Sequence, residues 1–330
     1  MSRDDTIEME ALNLLRVVGL LRPQSGSISW RRSLRHDVML VADDDSARTT
    51  WLIKRCGEPI GDDVITLRWE NAFHRWITPR PLSDALAAHD ASSEALLPAL
   101  GGLIATLHAV SAGEGADVFP LLSAPVQTFG RLSPETVAAS GQAFVELATL
   151  MQARPKLNRH LRDLRSSWRS SALVHGDLKS DNVLIVKGPQ GPELLLIDWE
   201  CAGIGDPAWD CGSAIGSMCF AWVRTLASGS DAAELRRHAG HILAGIDGFW
   251  SAYADARQAD PAFRREAEAS RTFRWAGFWL VQRVMAKLPL RPSLSAQDIC
   301  ALHIAGALLA EDLAGSGHGP DVSAAAGSRA

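Results

Sequence analysis

The length, composition and charge of this chain narrow its class. Its 330 residues suffice for about two domains or lobes, and 47% apolar with 22% charged residues is ordinary for a globular protein. A net charge of −5 gives no reason to expect a nucleic-acid partner. Five scattered cysteines without a C-x-x-C pair argue against a disulfide framework and a zinc site, and they fit a reducing compartment.

The sequence also lacks the usual signs of export or membrane insertion. The opening segment MSRDDTIEME contains no apolar signal core. No stretch approaches the roughly 20 uninterrupted apolar residues that a bilayer span requires. We therefore expect a soluble cytoplasmic protein that has neither a membrane nor a nucleic acid as its partner.

The N-terminal part of the chain changes from a helical to a strand-like pattern. Residues 5–21 predict an opening helix, because Asp5 and Glu8 have the spacing of a capping box and apolar residues recur on one face. Short β-like runs separated by turn formers then predict an antiparallel sheet with strands at 28–34, 38–42 and 49–53. Residues 67–77 carry a helical pattern.

The rest of the chain is mostly helical in pattern. Before residue 170, helices are predicted at 82–88, 96–110, 135–151 and 157–168. Short apolar runs predict strands at 173–174, 183–186 and 194–197. After Gly216 every periodic segment is helical. The result is an α+β arrangement, with an N-lobe at 1–81, a C-lobe at 82–315 and a tail at 316–330 that is expected to be disordered.

The most informative segment lies between two of the apolar runs and has polar residues at fixed offsets. Asp177 in this segment can accept a proton from an attacking hydroxyl, and Asn182 can offer an amide oxygen to a metal. Further along, the apolar run Leu-Leu-Leu-Ile ends on Asp198, where a hard cation would bind. These are parts that phosphoryl transfer requires.

A nucleotide-anchoring lysine completes that set of parts. Lys54 lies at the end of the third predicted strand, and Glu70 lies in the predicted helix that follows. An ion pair between these two residues would hold the lysine against the nucleotide phosphates.

Two segments, HGDLKSDNVLI at 175–185 and LLLIDWECAGIGDPAWD at 194–210, resemble the catalytic core of the aminoglycoside phosphotransferase family within the protein-kinase-like superfamily. The Leu-His-Ala sequence at 107–109 is similar to a family pattern that precedes this core. The resemblance implies a bilobal protein-kinase-like fold, ATP as the phosphate donor and Mg²⁺ as the cofactor.

The resemblance also implies roles for single residues. Asp177 matches the catalytic base, and Asn182 and Asp198 match the magnesium ligands. Lys54 and Glu70 match the nucleotide-anchoring pair of the family. His175 and Asp210 match residues with a structural role.

Three features depart from the family pattern. Lys179 stands where small-molecule members commonly have His, and a cation there can neutralise the transferred phosphoryl group. The phosphate-covering segment at 24–30, with Ser27 as the candidate contact, has a single glycine. The short distance from Glu70 to Leu82 predicts a reduced N-lobe that a partner protein would complete.

Several alternatives remain open. The acceptor is either a small molecule such as an amino sugar, which the resemblance favours, or Ser and Thr of a precursor peptide, as in the kinase components of lanthipeptide synthetases. A basic run at 154–169 and a second one at 264–274 favour an acidic peptide or are solvated helix faces. Aromatic residues at 273–279 belong to the core or to an acceptor pocket, and Asp206 is expected to cap a helix. A pseudokinase that binds without transferring phosphate is the rival class.

Overall fold

The computed structural model describes residues 27–32, 37–42, 50–56, 68–72, 80–88, 91–109, 119–126, 140–152, 155–188, 191–226, 231–288 and 293–310. The predicted opening helix at 5–21 and the predicted tail at 316–330 lie outside these residues. The chain divides into two compact units. One consists of Met1–Arg80 with Ile185–Asp198, and the other consists of Pro81–Leu184 with Trp199–Ala330.

The first unit contains a four-stranded antiparallel sheet in the order β1, β2, β3, β4. The strands are β1 (Ser27–Arg32), β2 (Asp37–Ala42), β3 (Thr50–Cys56) and β4 (Arg68–Ala72). Their sequences are rich in Val, Ile, Leu and Trp, which suit a pleated and partly buried surface. The antiparallel sheet predicted from the sequence is confirmed for the first three strands.

Strand β4 corrects the helix that was predicted at 67–77. Residues 68–72 pair antiparallel with β3, and Glu70 lies directly opposite Lys54. The helix prediction was wrong here because a five-residue segment is too short for a period of 3.6 to be told from a period of 2. Pairing with the edge of β3 then decides the structure. Residues 73–77 lie outside the described part of the chain.

The remaining strands of the described residues are short and form two small sheets. They are β5 (Arg80–Pro81), β6 (Ala172–Val174), β7 (Val183–Gly188), β8 (Gly191–Leu196) and β9 (Gly203–Gly205). In one sheet β7 lies between β5 and β8. In the other, β6 pairs antiparallel with β9, so that Leu173 faces Ile204. The three strands predicted from apolar runs are confirmed.

The second unit is mainly helical. Its described helices are α1 (Leu82–Ala87), α2 (Ala91–Leu107), α3 (Gln142–Gln152), α4 (Pro155–Ser166), α5 (Pro207–Thr225), α6 (Ala232–Arg257), α7 (Arg265–Met285) and α8 (Ala296–Ala310). The predicted helices are confirmed, with that at 135–151 described only from Gln142 onward.

Helix α5 lies at the centre of the second unit and is buried from Ala208 to Val223. It packs against α7, which also packs against α8, while α6 packs along α2. A Cβ at Gly212 would come within 2.5 Å of the Cβ of Trp275, so glycine permits the close approach of α5 and α7. No helix among the described residues is long and apolar enough to cross a bilayer.

Candidate active site

The loop between β6 and β7 carries four of the site residues predicted from the sequence. It begins at His175 and ends in a single 3-10 turn, Ser180–Asn182. Leu178 is fully buried, and the amide of Ser180 donates to Oγ of Ser217 on α5 over 2.9 Å. These contacts anchor the loop to α5, so its polar side chains are held in a defined arrangement.

The carboxylate of Asp177 is fixed through one of its two oxygens. Oδ2 accepts hydrogen bonds from Nζ of Lys179 and, over 3.1 Å, from Nδ2 of Asn182. Oδ1 accepts none from the described residues, and 35% of the Asp177 side chain is exposed. Such a carboxylate can accept the proton of a hydroxyl with the oxygen that the protein does not use.

The side-chain amide of Asn182 has a defined orientation. Besides the Asp177 carboxylate, Nδ2 also donates to the main-chain carbonyl of Asp177 over 2.9 Å. Both partners can only accept, so the nitrogen must face Asp177 and the amide oxygen must face away from it. Amide oxygens are ligands for hard cations, and Asn182 therefore has the donor chemistry that a magnesium ligand requires.

Helix α5 also holds the backbone of Gly176. The amide of Gly176 donates to Oδ1 of Asp210 over 2.9 Å, and its carbonyl accepts from Nε1 of Trp209 over 2.8 Å. Gly176 has a φ of +82°, and a Cβ there would overlap the carbonyl oxygen of Cys201. Only glycine fits this position, because an L side chain would be both strained and in collision.

Asp210 binds a second amide of the loop. Its Oδ2 accepts from the backbone amide of His175 over 2.6 Å, and the Asp210 side chain is fully buried. The His175 ring packs 4.7 Å from that of Trp199, and its Nδ1 accepts from the amide of Asp177 over 3.4 Å. Asp210 and His175 therefore lie where supports of the Asp177 loop would lie.

A buried polar pair behind Asp210 was not connected to the site by sequence reasoning. His108, just after α2, has Nε2 3.3 Å from Oδ2 of Asp210 and Nδ1 3.0 Å from the hydroxyl of Tyr253 on α6. The Leu-His-Ala sequence at 107–109 includes His108, but it gave no indication of these two partners. Tyr253 has no local signal beyond being the only tyrosine of the chain.

Asp206 caps α5, as the sequence predicted. Its Oδ1 accepts from the amide of Ala208 over 3.0 Å, and its Oδ2 pairs with Arg271. Burial raises the pKa of Asp206 above its usual value, and the Arg271 guanidinium partly opposes that shift. Arg271 also pairs with Glu268, and Glu268 with Arg169. This cluster links α7 to the start of α5. Asp206 therefore has a structural role.

The other candidate residues lie in the first unit. Asp198 follows β8 and has a φ of +74°, a conformation that Asp adopts more readily than most residues. Strained backbone of this kind is concentrated at functional sites. Lys54 and Glu70 are direct cross-strand neighbours, and Ser27 is the first residue of β1. In the second unit, Asp177, Lys179 and Asn182 are therefore brought together in one loop. In the first unit, Lys54 and Glu70 lie opposite each other on neighbouring strands.

The aromatic and basic groups noted in the sequence have structural surroundings. Trp275 contacts the rings of Trp209, Trp168 and Phe278 at 5.5–5.7 Å, edge to face. This packing, with the burial of the whole aromatic set at 273–279, favours the core interpretation over an acceptor pocket. On α4 the exposed basic residues form a solvated face, which comprises Lys156, Arg159, Arg162 and Arg165.

Comparison with known families decides the class of this chain. A model of the phosphotransferase enzyme family matches residues 60–249, which is more than half of the chain. The chain belongs to the phosphotransferase enzyme family. It is therefore an enzyme of the kinase class, as the motifs predicted. No protein in a curated collection matches the sequence.

Solved structures extend the comparison of this phosphotransferase to its fold. An ethanolamine kinase of Plasmodium vivax is similar at 11% identity, with 93% of this chain and 90% of that chain covered and a TM-score of 0.51. A choline/ethanolamine kinase family protein of Mesorhizobium loti has 15% identity, 97% of both chains covered and a TM-score of 0.49. A choline kinase of Streptococcus pneumoniae has 14% identity, 92% and 99% coverage and a TM-score of 0.48. The predicted α+β, protein-kinase-like fold is confirmed.

Proposed function

We propose that this phosphotransferase moves the γ-phosphate of ATP to the hydroxyl of a small molecule, with Asp177 as the base. The arrangement of the Asp177 carboxylate carries the proposal, since Oδ2 is held by Lys179 and Asn182 while Oδ1 is left for a ligand. As the new O–P bond forms, Asp177 takes the proton of the acceptor hydroxyl. Little covalent chemistry by the protein is required beyond this, because phosphoryl transfer depends mainly on positioning and charge stabilisation.

The two residues proposed to hold magnesium are Asn182 and Asp198. Support comes from the amide oxygen of Asn182, which the hydrogen bonds of Nδ2 turn away from Asp177. When bound, the cation would supply charge neutralisation to the phosphate oxygens. Asp198 provides a carboxylate, the ligand type that Mg²⁺ prefers together with neutral oxygens.

We further propose roles for the basic residues and for the first unit. Lys179, now paired with Asp177, would move its ammonium to the transferring phosphoryl group once ATP is bound. Lys54 would bind the nucleotide phosphates, and Glu70 would hold it, which their opposed register supports. The backbone at Ser27 would cover the phosphates. A partner protein that completes this unit stays a prediction.

The small-molecule acceptor has one competing candidate. Ethanolamine is the named substrate of the P. vivax kinase whose fold this chain shares, so a small hydroxyl compound is the acceptor we favour. The exposed basic face of α4 favours instead a Ser or Thr in an acidic precursor peptide, as in lanthipeptide biosynthesis. A pseudokinase is disfavoured, because the Asp177 carboxylate and the Asn182 amide keep an arrangement suited to transfer.

The test is ATP-dependent and Mg²⁺-dependent ADP release in the presence of ethanolamine, choline, glucosamine and a Ser/Thr peptide with acidic flanks. Asp177→Asn is expected to lower turnover by at least about 100-fold, the usual scale for a general base. Asp181→Asn is the matched control, because Asp181 lies in the same loop, is 43% exposed and meets Arg283 only at 3.5 Å.

Each result has a defined meaning. The proposal is supported if the protein turns over a small molecule and this turnover is lost in Asp177→Asn but kept in Asp181→Asn. Turnover with the peptide alone transfers the assignment to the peptide kinase. ATP binding without turnover on any acceptor identifies a pseudokinase, and unchanged turnover in Asp177→Asn refutes the role of this carboxylate.

A further inference from the structure

Helix α6 binds both the side chain and the backbone of His108. The Tyr253 hydroxyl lies 3.0 Å from Nδ1 of His108, with the two rings edge to face at 5.6 Å. One turn further along the helix, Nη1 of Arg257 donates to the carbonyl oxygen of His108 over 2.8 Å. His108 and Tyr253 are buried, and Nε2 of His108 faces Oδ2 of Asp210 at 3.3 Å. The site loop is therefore linked to α6 through one imidazole ring.

The chemistry of the partners sets the direction of these hydrogen bonds. The Asp210 carboxylate accepts the amides of His175 and Gly176, and it has no proton to donate to an imidazole. Nε2 of His108 must therefore carry the hydrogen. In a neutral ring Nδ1 is then an acceptor, and the donor facing it is the hydroxyl of Tyr253.

Tyr253 and the nearby Cys211 are both buried. Burial, followed by the nearby Asp210 charge, raises the pKa of Cys211 well above its usual value. Burial likewise raises the pKa of Tyr253 well above its usual value. The buried phenol keeps its hydrogen, so phenol and imidazole can both donate in one direction, towards Asp210. Hydrogen bonds aligned in this way strengthen one another.

The alternative tautomer of His108 would weaken the loop. With the hydrogen on Nδ1, the lone pair of Nε2 would face the lone pairs of the Asp210 carboxylate. Asp210 would then lose one donor and be repelled from its position, although it holds the two amides next to Asp177. A small displacement at Asp177 is costly, since transfer depends on the exact placement of the base.

We propose that Tyr253 is a positioning residue of this phosphotransferase, whose hydroxyl selects the Nε2–H tautomer of His108 and thereby holds Asp210 against the loop that carries Asp177. The effect on turnover rests on the proposed role of Asp177. The tautomer of His108 does not depend on the role of Asp177, and it can be measured without an activity assay.

The test compares Tyr253→Phe, which removes one oxygen, with Trp250→Phe. Trp250 is a buried neighbour that packs 5.7 Å from the Tyr253 ring and takes no part in the hydrogen bonds. In the native protein labelled with ¹⁵N-histidine, the ring nitrogens of His108 are expected to show a hydrogen on Nε2 and none on Nδ1. The His108 signals are assigned by their loss in His108→Gln.

In Tyr253→Phe we expect the His108 tautomer to become mixed and the amide protons of His175 and Gly176 to shift. The rate of Mg²⁺-dependent ADP release is expected to fall about 10-fold at saturating ATP, with the KM for ATP changed less than about 2-fold, because the nucleotide site is untouched. Trp250→Phe is expected to leave the tautomer and both amide shifts as in the native protein.

Three results would overturn the proposal. They are a doubly protonated imidazolium in the native protein, an unchanged tautomer in Tyr253→Phe, and equal effects of the two variants on the amides and the rate. If Asp177→Asn retains turnover, the proposed function fails, whereas the tautomer measurement still decides the role of Tyr253.

Discussion

Asn182 donates its side-chain amide to the Asp177 carboxylate over 3.1 Å, so the proposed metal ligand and the proposed base are joined by one hydrogen bond. A cation drawn to the amide oxygen would polarise the N–H group and strengthen this bond. Binding of the metal at Asn182 would then also help to position the Asp177 carboxylate.

Replacement of Asn182 tests this coupling. Asn182→Ala is expected to raise the Mg²⁺ concentration for half-maximal turnover by at least about 10-fold, on the scale seen when metal sites lose a supporting group. The rate at saturating Mg²⁺ is also expected to fall, because Asp177 loses a donor. A magnesium titration of ADP release measures both effects.

The control for Asn182 is its neighbour Asp181. The Asp181–Arg283 pair is partly exposed and contributes at most about 1 kcal/mol, so Asp181→Asn should leave the magnesium dependence unchanged. An equal shift in both variants would mean that general loop charge, and not the Asn182 amide, governs metal binding.

Gly176→Ala is expected to destabilise the protein by about 3–5 kcal/mol, since a positive φ and a steric collision add together. The added Cβ would overlap the carbonyl oxygen of Cys201 and lie 2.8 Å from its carbon. Gly191→Ala is the comparison, because Gly191 has a φ of +137° but no atom of the described residues lies within 4 Å of an added Cβ. Its cost should be about 1–3 kcal/mol. Urea unfolding measures both, and equal losses would show that the Cys201 contact relaxes.

Alkaline titration tests the burial of Tyr253. Because it is the only tyrosine, the phenolate absorbance of the native protein reports this residue alone. Burial raises its pKa well above the usual value, so we expect no phenolate signal until the protein unfolds. The protein unfolded in guanidinium should titrate near pH 10. A native transition at that pH would contradict the burial.

The same pKa shift has a consequence for stability. Above about pH 10 the unfolded state loses the phenol proton while the folded state keeps it. The folded state then binds more protons, so the free energy of unfolding falls as pH rises. The native protein should therefore lose stability relative to Tyr253→Phe above pH 10. Below pH 10 the difference in the free energy of unfolding between the two proteins should stay constant. Urea unfolding across this pH range checks the slope.

Cysteine reactivity distinguishes surface from core. Cys201 is exposed, whereas Cys211 and Cys219 are buried in α5. Burial raises the pKa of Cys219 to about 12, so little of the reactive thiolate exists at neutral pH. Iodoacetamide followed by peptide mass spectrometry should modify Cys201 and leave the two α5 thiols intact until denaturant is added. Early modification of Cys219 would show that α5 opens locally.

Elements with long local patterns were predictable. The periodicity of α7 and α5 continues over many residues, and three of the strands of the first sheet are separated by clear turn formers. Strand β4 was mistaken for a helix because its five residues carry too little periodicity and its structure comes from pairing with β3. The position of Glu70 opposite Lys54 is a consequence of that register.

That Asp177, Lys179 and Asn182 lie close together could be predicted from their order along the chain, because all three lie within one loop and their hydrogen bonds span five positions or fewer. For the supports of that loop, the family resemblance implied His175 and Asp210 as structural residues, but no local pattern indicated their contacts or the link from His108 to Tyr253. Asp210 reaches the loop from 35 residues away, His108 meets Asp210 across 102 residues, and Tyr253 meets His108 across 145. Such contacts form only when α2, α5 and α6 pack together. Local residue patterns do not indicate which helices will become neighbours.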